Sequence, residues 1–253
     1  MAASLPDPAL PPAPSAPVED YLKAVYECEL RSGSAATSDL AAALQVAPAS
    51  VTGMVRKLAA QGYLDHVPYR GVQLTAQGRR VALRTIRRHR VLESYLTTVL
   101  GVPWDRVHDE AERLEHAASD DLVERMAAAL GHPSADPHGA PIPAADGTIA
   151  ERQLGTLADL PTGATARVVM VSDRNPALLR YVAELAMHPG TLVTVVARAP
   201  FGGPLTLRLG GREVQVGPAL AAQLVVEETL PETLPETLPA DDDGCGVDAT
   251  GVP

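Results

Sequence analysis

The chain is 253 residues long and 46% hydrophobic, with 21 Lys/Arg against 31 Asp/Glu and a formal net charge of −10. That apolar content can bury a real core, and at roughly 100–150 residues per domain the length predicts two or three units. No apolar run reaches the ~18 residues of a membrane span. The Ala/Pro-rich start lacks the basic and apolar regions of a secretory signal, and Cys28 and Cys245 are the only cysteines, so a disulfide scaffold is excluded and a reducing, cytoplasmic setting is expected.

The charge is unevenly spread. Residues 1–90 hold 11 Lys/Arg and 7 Asp/Glu, whereas residues 91–253 hold 10 and 24. A basic excess at the N-terminal end keeps nucleic acid open as a partner despite the overall sign.

In chain order, residues 1–17 hold six prolines and almost no large hydrophobes, and are expected to be disordered. Val18–Leu30 has apolar residues at helical spacing. Asp39–Leu44 is a second helix, with Thr37 or Ser38 as its N-cap. After a short turn, Pro48 opens a third helix that runs to about Gln61 and stops at Gly62. Tyr63–Thr75 reads as a two-stranded hairpin around Pro68–Gly71, and helices resume over Ala76–Leu100 and about Trp104–Leu130. Helix, turn, helix and hairpin form a winged helix-turn-helix pattern. Its second helix would lie in the major groove, with Ala49, Ser50, Thr52 and Gly53 near base edges and Arg56 and Lys57 on phosphates. Thr37 and, at the wing tip, Arg70 complete the expected DNA-facing set.

Beyond a proline- and glycine-rich stretch near 132–150, residues 151–227 turn β-rich. Strands are expected at Ala166–Val171, Thr191–Val196, Leu205–Leu209 and Glu213–Val216, with one helix around Pro176–Ala186, as in a small antiparallel barrel. The Glu-Thr-Leu-Pro repeats from Glu228 read as a disordered acidic tail.

The densest chemistry lies between the two halves. His89-x-x-x-Glu93 and the run from His108 to His116, with Glu112 and Glu115 inside it, place imidazoles and carboxylates at helical spacings, without thiolates. Such a mixture suits Mn2+, Fe2+ or Zn2+. Like charges at i and i+3 destabilise a helix by roughly 0.2–0.5 kcal/mol per pair, so a cation is the simplest reason to keep them. Ordinary solvated-face charges are the bland alternative.

The motifs Arg88-His89-Arg90-x-x-Glu93 and Val107-His108-Asp109-Glu110-Ala111-x-x-x-Glu115-His116, then Ser119-Asp120 and Pro141-Ile-Pro, resemble the diphtheria toxin repressor family of metal-dependent regulators over about residues 18–227. The resemblance implies an α+β chain. Its parts would be a winged helix-turn-helix domain (18–75), a helical metal-binding and dimerisation domain (76–140), a linker (141–150), an SH3-like β-barrel (151–227) and a tail (228–253). It also implies two metal sites. The primary one would use Asp20, Glu112, Glu115 and His116, and the ancillary one His89, Glu93 and His108, with Asp173, or more weakly Asn175, from the barrel. Asp109 and Glu110 drop out as ligands. Asp20 and Glu112 stand where iron-sensing members have a thioether and a thiol, so hard oxygen ligands favour Mn2+, with Fe2+ as the alternative. Lys23 departs from an acidic residue that bridges two ions in one manganese-sensing subgroup, and so argues for two separate sites.

The resulting expectation is a homodimeric, metal-activated repressor of manganese or iron uptake genes that binds a palindromic operator, with neither enzymatic activity nor a small-molecule substrate. A metal-independent regulator with degenerate sites is the alternative. A di-metal carboxylate enzyme is disfavoured, because HExxH, HxxEH and the Glu-x-x-His spacing are absent.

Overall fold

The computed structural model describes residues 14–67, 69, 71–150 and 154–229. Of the disorder expected over residues 1–17, the part up to residue 13 lies outside the described residues, and Ala16 and Pro17 are instead helical; of the tail expected over 228–253, Glu228 instead ends a strand and residues beyond 229 lie outside the described residues, as does Arg70.

Helix α1 (Ala16–Ser32) begins with Pro17 in its first turn and ends at Gly33, whose φ of 76° suits a glycine terminator. Short α2 (Thr37–Leu44) and α3 (Pro48–Ala60) follow, joined by a turn in which Gln45 adopts φ 54°. The expected side-chain cap on α2 is absent. Ala36 is its N-cap and Thr37 its first residue, because the chain's entry is fixed by backbone instead: Ala35 and Val72 exchange both N–H···O bonds, at 2.8 and 3.0 Å. This bridge docks the wing, β1 (Leu64–Val67) paired antiparallel with β2 (Gly71–Leu74), against the α1–α2 connection. Gly71 is required there, since a Cβ would sit 2.0 Å from the Ala35 carbonyl oxygen.

Helix α4 (Ala76–Thr98), capped by the Thr75 hydroxyl, belongs to two cores. Its first half contributes Ala82, Leu83 and Ile86 to the cluster built on Leu22, Val25, Tyr26, Leu40, Val51, Leu58 and Leu64. Val91, further along, packs with Val123 and Ala127 of α6 in a much smaller cluster. Each fully buried Leu or Val stabilises by roughly 1.5–3 kcal/mol, so the first cluster dominates and fixes the orientation of α4 to the winged domain.

The helix expected over Trp104–Leu130 is two, α5 (Val107–Leu114) and α6 (Asp120–Ala129). Ser119 is the reason for the break: its extended backbone and its hydroxyl, which accepts from Leu122 N, start a new helix. Glu115 and His116 therefore lie in the turn after α5 rather than on a continuous helical face.

The C-terminal part is one antiparallel sheet in the order β3-β8-β4-β5-β6-β7. The strands β4 (Thr165–Val171), β5 (Leu192–Arg198), β6 (Leu205–Leu209) and β7 (Arg212–Val216) and helix α7 (Pro176–Glu184) occupy the expected places. Three elements were not expected: β3 (Gly155–Thr156), α8 (Pro218–Ala221) and β8 (Leu224–Glu228), of which β8 pairs with both β3 and β4. Irregularities in the β4–β8 and β5–β6 registers accompany a sheet wrapped around one apolar core, the SH3-like pattern. Among the described residues, no helix is long and apolar enough to cross a membrane.

The proline- and glycine-rich stretch near 132–150 is partly structural. His138 O accepts from Val171 N at 2.9 Å, and Gly139, at φ 90°, approaches β4 so closely that a Cβ would lie 1.9 Å from the Val169 carbonyl oxygen. Gly139→Ala is therefore expected to cost more than about 1 kcal/mol, from strain plus a backbone clash. Thermal melts would show the loss, and a wild-type melting temperature would refute the required approach.

Candidate metal centre and DNA-facing helix

Helix α1 presents Glu19, Asp20 and Lys23 towards the α4–α5 region. The Asp20 carboxylate meets His116 Nε2 at 2.8 Å, and Glu115 Oε1 lies 3.4 Å from the same nitrogen. Ligand atoms of Asp20, Glu115 and His116 all fall within 4.8 Å of one another. On the opposite edge of the imidazole, His116 Nδ1 lies 2.7 Å from Glu19, which also accepts from Arg88 at 3.1 and 3.3 Å. A carboxylate on one ring nitrogen fixes the tautomer and leaves the other nitrogen to a cation.

Glu112 does not join that group. Its carboxylate is taken by Lys23 Nζ at 2.6 Å, and it converges instead with His89 and Glu115.

The second expected site assembles with its barrel residue. His89, Glu93, His108 and Asp173 bring ligand atoms within 4.8 Å of one another. His89 Nε2 is 3.0 Å from Glu93 and 3.1 Å from His108 Nδ1, which lies 3.4 Å from Asp173. Asn175 is engaged otherwise, capping α7 through Ala177 N and Leu178 N.

A third group was missed by sequence reasoning. Glu93, Asp136 and His138 are all buried and converge within 4.8 Å. Glu93 Oε2, Asp136 Oδ2 and His138 Nδ1 have no hydrogen-bond partner. They are met only by long ion pairs, His138 Nδ1 to Glu93 Oε2 at 3.8 Å and Arg90 Nε to Asp136 Oδ2 at 3.7 Å; buried polar atoms without hydrogen bonds are costly, and their chemistry, two carboxylate oxygens and an imidazole nitrogen, fits a divalent cation. Their signal in the sequence was the Asp136-Pro-His138 triplet, hidden inside a segment that composition marks as a loop. Glu19 was missed because its role depends on the His116 ring in a distant element.

Protonation reflects the crowding. Burial opposes charge on His108, but hydrogen bonds to Asp173 and Glu93 prevail and push it up to about 10. His138 is likewise held at about 9 by the Glu93 carboxylate against the pull of burial. Asp136 rises to about 7, chiefly by burial and then by repulsion from Glu93. Glu93 is held well below the carboxylate range: burial would raise it, but the surrounding histidines prevail. Protons and histidine charge thus stand in for a cation.

The expected DNA-facing side chains form one surface. Ala49, Ser50, Thr52, Gly53, Arg56 and Lys57 are all exposed, while Val51, Val55 and Leu58 turn into the core. Thr37, at the start of α2, is half-buried. Nothing lies within 4 Å of a Cβ placed on Gly53. The packing around α3 does not require that glycine.

Residues 15–72 match the family model described as iron dependent repressor, N-terminal DNA binding domain; residues 75–144 match its metal binding and dimerisation domain, and residues 155–228 match the FeoA domain. The chain is 30% identical over 223 residues to the iron-dependent repressor IdeR of Mycobacterium leprae, covering 83% of this chain and 96% of that protein. It is 40% identical over 116 residues to the regulator MntR of Lysinibacillus sphaericus, covering 46% of this chain and 81% of that one. A solved structure titled "Manganese-dependent transcriptional repressor complex with manganese" superposes with a TM-score of 0.78 at 39% identity, over 84% of this chain and 100% of its own. With every described domain matched in order and almost the whole of one relative covered, the chain belongs to the iron-dependent repressor family, the diphtheria toxin repressor-like regulators its motifs resemble.

Proposed function

We propose that the chain is a transcriptional repressor activated by Mn2+, with Fe2+ as the alternative ion, that binds a palindromic DNA operator as a homodimer in the cytoplasm and catalyses no reaction. The observation that carries this reading is the convergence of Asp20 from α1 with Glu115 and His116 from the turn after α5. A ligand set drawn from two domains ties their relative placement to occupancy.

Asp20, Glu115 and His116 would hold the activating ion, with Glu112 joining once it leaves Lys23. His89, Glu93, His108 and Asp173 would hold a second, and Asp136 and His138 would extend that site through Glu93. Bound there, the ion supplies positive charge that offsets the clustered carboxylates. Oxygen and imidazole donors without sulfur favour Mn2+ over softer ions. For the dimer, the cluster of Val91, Val123 and Ala127 is small, and Val99, Leu100, Leu114 and Leu122 are exposed nearby, which suits coverage by a second copy. Twofold symmetry then spaces two recognition helices by about one DNA turn or a multiple.

A duplex selected from a random pool gives the operator for gel shifts. If the ion binds the DNA-competent arrangement about 100-fold more tightly, it shifts that equilibrium by up to ~2.7 kcal/mol. Asp20→Ala should lose this enhancement, and Mn2+-independent binding by the wild type would sink the switch.

Gly53→Ala separates fold from recognition. Relief of an exposed helical glycine should hold or raise stability by up to about 1 kcal/mol, while operator affinity falls because a methyl group meets the duplex. Unchanged affinity would take α3 away from the groove.

Metal must displace protons from His89 and His108. Since His108 is held protonated up to about 10, calorimetric Mn2+ affinity should weaken steadily from about pH 8 to about pH 6, with proton release on binding. A flat profile would exclude these imidazoles as ligands.

A further inference from the structure

Lys23 stands where the two metal groups meet. Its Nζ lies 2.6 Å from Glu112 Oε1, 3.1 and 3.0 Å from the two Glu115 oxygens, and 3.4 Å from His89 Nδ1. Those three residues are themselves a metal-capable group, with ligand atoms within 4.8 Å of one another, so the ammonium sits among donors that would suit an ion. The position is central. Glu115 is shared with Asp20 and His116 on one side, and His89 with Glu93, His108 and Asp173 on the other.

The residue type fits the task. Lysine accounts for only Lys23 and Lys57 among the 21 Lys/Arg of the chain, so lysine here is not a compositional habit. An ammonium is a compact point charge, whereas a guanidinium is a wide planar fork. The side chain is 13% exposed and faces a Glu115 side chain that is fully buried, and such a pair is strongly destabilised when one partner is removed.

We propose that Lys23 is a tethered cation that competes with the activating metal for Glu112 and Glu115. This rests on the metal-activated reading above. Glu112 cannot join Asp20, Glu115 and His116 without releasing Lys23, so metal entry is an exchange of partners, and the exchange sets the metal concentration at which the protein switches. In the absence of metal the same ammonium holds α1 against α5.

The test is Mn2+ titration calorimetry on the full-length dimer, with bound metal counted after dialysis. Lys23→Met should bind Mn2+ on the order of tenfold more tightly, because the metal no longer displaces a paired charge and instead relieves an uncompensated one. Lys23→Arg keeps a positive charge beside Glu112 and Glu115, and should stay closer to the wild-type affinity than Lys23→Met. Affinity in Lys23→Met equal to or weaker than wild type, or the same tightening in Lys23→Arg as in Lys23→Met, would overturn the proposal. A wild-type protein that binds no Mn2+ would instead overturn the metal-activated reading itself.

Discussion

A fully buried carboxylate, Glu115, is the constraint around which the centre is arranged. Its side chain has no exposure, and an ionised group there is tolerable only when paired and hydrogen-bonded. Three partners answer it: Lys23 from α1, His89 from α4 and His116 from its own turn. Burial would raise its pKa, but His89 and Lys23 hold it below the usual range. Because those partners belong to different domains, the need to compensate one charge also fixes how α1 lies on α4 and α5. On the proposed reading, a divalent ion would enter the same arrangement by substituting for charges already recruited.

That coupling reaches the DNA-facing helix through α1. One edge of α1 carries Glu19, Asp20 and Lys23 into the metal centre, while Leu22, Val25 and Tyr26 anchor the core on which α3 packs through Val51 and Leu58. Further along, Glu29 accepts from Leu74 N of the wing, and Glu27 pairs with Arg174 beside the β-sheet domain. A close-packed core passes on displacement rather than absorbing it. On the proposed reading, repositioning the N-terminal part of α1 would carry α3 and the wing with it.

Much of this was legible in the sequence because it is periodic or local. The helical spacing of Leu22, Val25 and Tyr26, Pro48 at the start of α3 and Gly62 after its end, and the alternation in β6 and β7 are signals within one element. What escaped was either a local cap hidden inside a motif or a feature that depends on residues distant in the chain. Ser119 looked like part of a motif, yet its hydroxyl ends the continuity of the helix and moves Glu115 and His116 into a turn. Strand β8 is short and adjoins the repetitive tail, and only its pairing with β3 and β4 defines it. Asp136 and His138 were masked by the prolines and glycine around them, which mark a loop but say nothing of its burial.

The centre holds more ligand chemistry than one ion can use, and the surplus is informative. Glu93 is claimed by two groups, one with His89, His108 and Asp173, the other with Asp136 and His138. Raised histidines answer the second group only partly, since Glu93 Oε2, Asp136 Oδ2 and His138 Nδ1 lack hydrogen bonds and are met only by long ion pairs, His138 to Glu93 at 3.8 Å and Arg90 to Asp136 at 3.7 Å. Orphaned buried donors cost stability in the metal-free state and stop costing it when a cation arrives. Asp173 and the His138 loop are both anchored to the sheet domain, the latter through Val171 N. On the proposed reading, an ion at Glu93 would also fasten that domain to α4, at a junction that lacks the tethered lysine of the Lys23–Glu115 pair.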